Sequence, residues 1–404
     1  YWKSLDSATI PSEGTDESVR LLSNNSTIFG EVRHFLSDED FMTFRAGVFN
    51  SFFETSHLES DPEKRRSQSN SINSMLQFNI TLAENLLLTT GADFRYNYVE
   101  SIIYGGESWQ SIVAAYAQAE AKYFDALNLT LGARVDQEQT GEYTGDTDYP
   151  DHLEISPKFG ANYGLPFGMM LRASVGKGFR AASIAEKFSA VQFQGFEVVP
   201  NPDLAPEQSW SYEIGASYEF TNAGFPIELD ISIFRNELIN LIEPSILNQT
   251  QGSIRFENVT RARVSGVEFT ARTFLFKTLG FETGITYMDP RDLTNNEILK
   301  YRSELLWYSR LLLPLGAVEL QADYRYKSEF KNIDEELKFQ VRDYDARVPV
   351  HVVDVRASLD LGKMTEYPLK LTLNAENLLD YYYVNMVGNL AQTRHISLQM
   401  EMDF

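Results

Sequence analysis

The length and spacing of its alternating segments constrain this chain more than any other feature. Between Ala317 and Tyr326, the residues Val318, Leu320, Ala322, Tyr324 and Tyr326 share one face of an extended strand, while Glu319, Gln321, Asp323 and Arg325 share the other. Leu369–Glu376 and Ile396–Phe404 repeat the pattern. A period of two marks a strand with one apolar and one polar face. Seventeen such segments are read, at 27–36, 41–56, 71–83, 85–101, 111–124, 127–137, 151–164, 168–180, 208–221, 225–241, 253–275, 279–288, 301–313, 317–327, 348–361, 369–384 and 393–404. Most run to about 10–16 residues, roughly twice the length of strands in globular sheets. Strands this long with a fully polar second face predict a transmembrane antiparallel β-barrel, with lipid outside and water or a polar plug inside.

The connections support this reading. Ser37–Asp40, Glu84, Asp125–Ala126, Leu165–Phe167, Asn222–Gly224, Phe276–Thr278, Pro314–Gly316 and Gly362–Pro368 are short, and the connections between them are mostly long. Outer-membrane barrels alternate tight periplasmic turns with extended outer loops in this way. The alternation places Phe404 at the periplasmic rim. It makes residues 1–26, rich in Ser, Asn and acids, a partial extracellular loop ahead of a barrel portion spanning 27–404. Tyr123 and Phe124, Tyr163 and Phe167, and Phe220 and Phe225 flank short turns. There they suit the aromatic girdle at headgroup depth.

Composition removes other classes. Hydrophobic residues make up 43% of the 404, yet mean hydropathy is −0.28, and no run approaches the roughly 18 apolar residues of a spanning helix. The chain has no cysteine, which excludes disulfide frameworks and thiolate chemistry. A net charge of −22 argues against nucleic-acid binding. His34, His57, His152, His351 and His395 lie on separate segments, with no metal-ligand or catalytic spacing, so neither an enzyme nor a resident cofactor or metal is expected.

Several motifs then carry a resemblance. Gly178-Phe179-Arg180-Ala181-Ala182-Ser183 with Glu186 is similar to a "GFRAPS…E" box, with Ala182 in place of proline. Asn201-Pro202-Asp203-Leu204-Ala205-Pro206-Glu207 matches "NPxLxPE", and Ser209–Gly215 follows it like "S.SYELG". Val264–Phe269 and Asn377–Tyr382 resemble two further boxes, and the terminal Phe404 resembles the outer-membrane assembly signal. Together they resemble the TonB-dependent outer-membrane receptors, as the C-terminal part of their barrel. The resemblance implies a 22-stranded barrel with a plugged lumen, of which about 17 strands are present here. The remaining strands, the plug and the TonB-engaging segment are then expected ahead of Tyr1. It also implies TonB-coupled import of a scarce ligand, a siderophore-iron complex or similar metal chelate. Haem is less expected, because the haem receptors carry a histidine between the two boxes and Ser183–Pro200 has none. A passive porin and a structural barrel subunit of an envelope complex are the alternatives.

For the ligand, the expected contacts are the mouth-facing Arg180 and His395 and the loop aromatics Trp109, Tyr143, Tyr149 and Phe193, with Phe188 and Phe196 beside them. Rings and a guanidinium fork can hold a planar or anionic chelate without closing the pore. Arg172, Arg180, Glu319, Asp323, Asp354, Arg356, Glu376 and Glu401 share lumen parity and are expected to avoid lipid.

Overall fold

The structure, a computed structural model, describes residues 2–12, 15–57, 65–143, 149–193, 196–222, 225–248, 253–259, 261–276, 278–333, 347–365, 368–386 and 389–402. Phe404 lies outside them. Among the described residues one sheet holds 19 strands: the seventeen expected, together with Trp2–Ser12 and the two-residue Glu297–Ile298. No described helix is long and apolar enough to cross a membrane.

Two units divide the chain: Tyr1–Gly160 with Gly176–Trp210 and Leu238–Val259, and Ala161–Val175 with Ser211–Glu237 and Thr260–Phe404. In the first, Thr15–Phe35, Phe41–His57, Arg65–Ala83, Leu86–Ser101, Gly106–Tyr123 and Leu127–Glu142 pair antiparallel in sequence order. Several outrun their expected ends: pairing covers 65–70, 106–110 and 138–142, all read as loop. Trp2–Ser12 and Thr15–Asn25 likewise form a hairpin where residues 1–26 were expected to be loop. The physical reason is the same in each case. Alternation fades where an apolar band ends, but two paired backbones go on exchanging hydrogen bonds beyond it.

In the second unit Ala262–Leu275, Leu279–Asp292, Leu305–Leu315, Val318–Lys327, Val350–Asp360, Leu369–Glu376 and His395–Met402 pair in turn. Their register aligns polar residues on one face. Glu319 faces Ser358, Gln321 faces Arg356, Asp323 faces Asp354, and Glu376 faces His395. Charges on this face pair across strands: Arg310 Nε donates to Asp323 at 2.6 Å, Arg325 to Asp354 at 2.7 Å, and Arg356 Nε to Asn374 at 2.8 Å. Arg172 reaches Glu213 at 2.7 Å and Asp230 at 2.9 Å. A Cβ at Gly215 would lie 2.5 Å from the Arg172 guanidinium carbon, so the glycine leaves that side chain its path. The opposite face exposes Leu311, Leu320, Leu373, Ile396, Leu398 and Met400. An apolar face this extensive needs an apolar medium.

Two expected strands are broken. The run 225–241 stops at Ile239, because Asn240 adopts φ 58° and turns the chain. The run 253–275 divides into Ser253–Val259 and Ala262–Leu275. The detached pieces Leu241–Asn248 and Ser253–Val259 join Val191–Phe193 and Phe196–Val198 in a separate four-stranded sheet. The run 369–384 ends at Glu376, ahead of Asn377 at φ 47°. Phe124, Phe167 and Phe276 occupy short turns with φ of 53°, 69° and 52°, their rings almost fully exposed.

Candidate functional site

The strand Met169–Arg180 ends on a guanidinium held from two sides. Arg180 Nη1 and Nη2 donate to the two carboxylate oxygens of Glu186 at 2.8 and 3.0 Å, and Nε donates to Glu207 Oε2 at 2.6 Å. Glu186 stands in the first turn of the helix Ile184–Phe188. There Ser183 caps the helix and closes a capping box with Glu186. Burial pushes the Glu186 carboxyl up, but the Arg180 and Ser183 donors outweigh it and hold the group below its ordinary range. The second oxygen of Glu207 accepts the backbone N–H of Ile242 at 2.7 Å.

Beneath the helix, Lys187 Nζ lies 3.7 Å from Glu138 Oε1, and both side chains are 1% exposed. Burial pushes the Lys187 ammonium down and Glu138 pulls it part of the way back. Gln110 Nε2 donates both to Glu138 at 2.9 Å and to the Ala182 carbonyl at 2.8 Å. Leu204, Ala182 and Ile242 form a small buried core with Phe256 packed against it. Asn201 Nδ2 donates to the Phe256 carbonyl at 2.7 Å. Asn258 accepts from Ala205 N and donates to the carbonyls of Ala205 and Asn240, each at 2.9 Å. The two sequence boxes thus build a clasp that holds 181–188 and 201–206 against the wall strands and the four-stranded sheet. Ala182, fully buried, stands at the box position otherwise taken by proline. Asn258→Ala removes three bonds to backbone groups and is expected to cost about 2 kcal/mol. Faster limited proteolysis within 181–206 would register it.

Beside the clasp lies a cavity of about 770 Å³. Four arginines line it, Arg45, Arg95, Arg134 and Arg180, against two carboxylates, Asp93 and Asp136, with Phe29 and Phe49 also on its wall. Arg134 is bound to Asp93 and, at 2.9 Å, to Asp136. Arg45 Nε donates to Glu31 at 2.7 Å. Arg95 Nε meets only the neutral Asn73, at 3.2 Å, and has no carboxylate partner among the described residues. Sequence reasoning missed Arg45, Arg95 and Arg134. Reading the parity of every strand for cations, as was done near the C-terminus, would have found them.

Among the other predicted residues, Trp109, Tyr143 and Tyr149 do not line this cavity. Trp109 follows the pleat to the face opposite its neighbour Gln110, where it stacks on Tyr96 at 6.3 Å. The Tyr143 hydroxyl lies 2.6 Å from that of Tyr96, and its ring meets Tyr98 edge-on. Tyr149 packs edge-on against Phe188 at 5.5 Å and donates to Glu142 at 2.6 Å. Phe193 lies on the strand Val191–Phe193, and its side chain, like that of Phe196, is outside the described atoms. His395 belongs to the second unit, paired in register with Glu376. Among the described residues no three His, Asp or Glu side chains form a metal-binding group.

Residues 6–378 match the family described as TonB dependent receptor-like, beta-barrel. The heme/hemopexin utilization protein C of Haemophilus influenzae is 25% identical over 194 residues, which are 40% of this chain and 26% of that protein. The Serratia marcescens hemophore receptor HasR, solved with its hemophore and heme, superposes with a TM-score of 0.71 at 15% identity, covering 96% of this chain and 66% of that one. The Pseudomonas aeruginosa ferric enterobactin receptor PfeA gives 0.70 at 15% identity, covering 99% and 72%. The chain therefore spans about a quarter of the Haemophilus protein's length and about two thirds of the hemophore receptor's. Long two-faced strands, alternating connections and ordered boxes agree with the family match: the chain belongs to the TonB-dependent receptor-like β-barrels, a family of the outer membrane.

Proposed function

We propose that this chain forms the barrel wall of a receptor that captures an anionic metal chelate, a ferric siderophore or close analogue, and imports it with TonB-coupled energy. A plug and a TonB-engaging segment belong to that reading as partners of the wall. The observation that carries it is the arginine-rich cavity. Four guanidiniums line it, in a chain whose net charge is −22. Arg45 is held by Glu31, Arg134 by Asp93 and Asp136, and Arg180 by Glu186 and Glu207, which leaves Arg95 without a carboxylate hydrogen bond among the described residues. Local potential, and not net charge, governs what a concave polar site attracts. Arg95 offers donors with no carboxylate hydrogen bond among the described residues, and Phe29 and Phe49 offer stacking surface beside Met75 and Ile112. Arg180 borders the same space; Tyr149 and Phe193 are proposed as ligand contacts within the same unit, and His395 as a contact within the second unit. The relatives' names support an iron-bearing cargo, being those of receptors for ferric enterobactin and for a heme-carrying hemophore. Haem itself is disfavoured, since Ser183–Pro200 contains no histidine.

Uptake of radiolabelled ferric catecholate and carboxylate chelates by cells carrying the full-length receptor tests this. Arg95→Gln is expected to weaken binding roughly tenfold, at equal surface level, through loss of one charge-assisted contact. Unchanged affinity for every imported chelate would remove the cavity from the ligand's path. Uptake that persists without TonB would favour a passive pore.

A further inference from the structure

Three neighbouring strands of the second unit turn from apolar to charged at one level of one face. Along Phe225–Ile239 the exposed Leu229, Ile231 and Ile233 are followed by Arg235 and Glu237. On Ala262–Leu275 and Leu279–Asp292, Val267 pairs with Tyr287, Ser265 with Asp289, and Arg263 with Arg291. Below this boundary Val267, Phe269, Ile285 and Tyr287 are exposed. Above it, Glu237 holds Arg263 Nε at 2.7 Å and also binds Arg235, while Asp289 holds Arg291 Nε at 2.6 Å. Arg261, exposed two residues before Arg263, has no side-chain partner among the described residues. Four arginines thus stand over two carboxylates, at the strand ends that lead into the long connections.

We propose that this rim is a binding site for the phosphate of a lipid headgroup in the outer leaflet. The apolar face beneath it must meet hydrocarbon, and the first polar groups above hydrocarbon are headgroups. Guanidiniums match phosphate oxygens in a fork. Arg263 and Arg291 engage their carboxylates through Nε, which leaves Nη donors for a further acceptor. Glu237 and Asp289 fix the arginines in place without cancelling their charge. The site rests on the outer-membrane barrel reading and is independent of the imported ligand.

The test reconstitutes the full-length receptor in nanodiscs of phosphatidylcholine alone and of phosphatidylcholine with lipid A, then counts retained lipid A by native mass spectrometry. Combining Arg235→Gln, Arg263→Gln and Arg291→Gln is expected to lower retention on the order of tenfold. The corresponding lysine triple, which keeps the charge, and Arg272→Gln, on the polar face, should retain it. Equal retention by wild type and the glutamine triple overturns the site, as does an equal loss in Arg272→Gln. Displacement of lipid A by inorganic phosphate overturns the lipid assignment. If the glutamine triple does not insert, the three single glutamine variants are measured, and unchanged retention in all three overturns the site. A wild-type receptor that enters neither nanodisc overturns the membrane reading together with this one.

Discussion

Lys187→Ala is expected to destabilise the clasp by about 3–5 kcal/mol, because it strands the Glu138 carboxylate in a buried place without its cation. Glu138 is 1% exposed; its Oε2 has no partner among the described residues, and the neutral Gln110 and Thr140 donors on its Oε1 do not replace the lost positive charge. Opening should be local, and the readout is amide exchange across 181–206, accelerated on the order of a hundredfold or more. Lys187→Met combined with Glu138→Leu should recover most of the loss, since replacing both charges removes the desolvation penalty together with the attraction. Wild-type exchange in Lys187→Ala would show that the helix is held by its apolar contacts and by the Arg180–Glu186–Glu207 bonds alone. Acid offers a second handle on the same element. The Glu186 carboxyl titrates below its ordinary range when folded. Its contribution is therefore complete above the unfolded value, about 4.3, and is lost as pH falls through the lower folded value. Protection of 181–206 should hold at neutral pH and decline only in strong acid.

What could be read in advance, and what could not, follows from how far each interaction reaches along the chain. The two-residue period is local, so the faces of Val318–Lys327 and His395–Met402 were legible, as was the pairing of charges such as Asp323 and Asp354 on one side. Strand ends were not legible, because pairing over 65–70 or 138–142 depends on a partner strand and leaves little mark in either sequence. Nor did the sequence foretell that Asn240 would take a left-handed backbone and send Leu241–Asn248 into a second sheet. The boxes around Arg180 and Glu207 were recognisable as strings, but their chemistry was not. Arg180 was expected to meet a ligand, and the fold binds it to Glu186 and to Glu207, 27 residues away. Lys187 finds Glu138 across a still longer span, and only the folded wall brings them together. Trp109 was expected as a ligand contact on an outer loop; the fold places it on the paired strand Gly106–Tyr123, on the face opposite Gln110.

Adjacent leucines on one strand give the sharpest test of the two-faced wall. Leu311 and Leu312 are neighbours in Leu305–Leu315, and no hydropathy scale distinguishes them. Their registers do. Leu311 pairs with Ala322 and Phe281 on the exposed apolar face, whereas Leu312 pairs with Gln321 and Gly280 on the face that carries Arg310 and Asp323. Leu311 lies near the middle of its strand, so Leu311→Arg would drive a guanidinium into hydrocarbon at a cost of about 2–4 kcal/mol. Leu312→Arg adds a charge to a polar surface that already pairs charges across strands, and it should cost well under 1 kcal/mol. Urea unfolding of the full-length receptor in lipid vesicles, followed by tryptophan fluorescence, measures both. Trp307 and Tyr324, in edge contact at 5.1 Å on the same face as Leu311, supply a nearby signal. A large loss for Leu311→Arg alone is the expected result. Equal losses would mean that both faces meet the same medium, and a loss confined to Leu312→Arg would mean that the strand is registered one residue out.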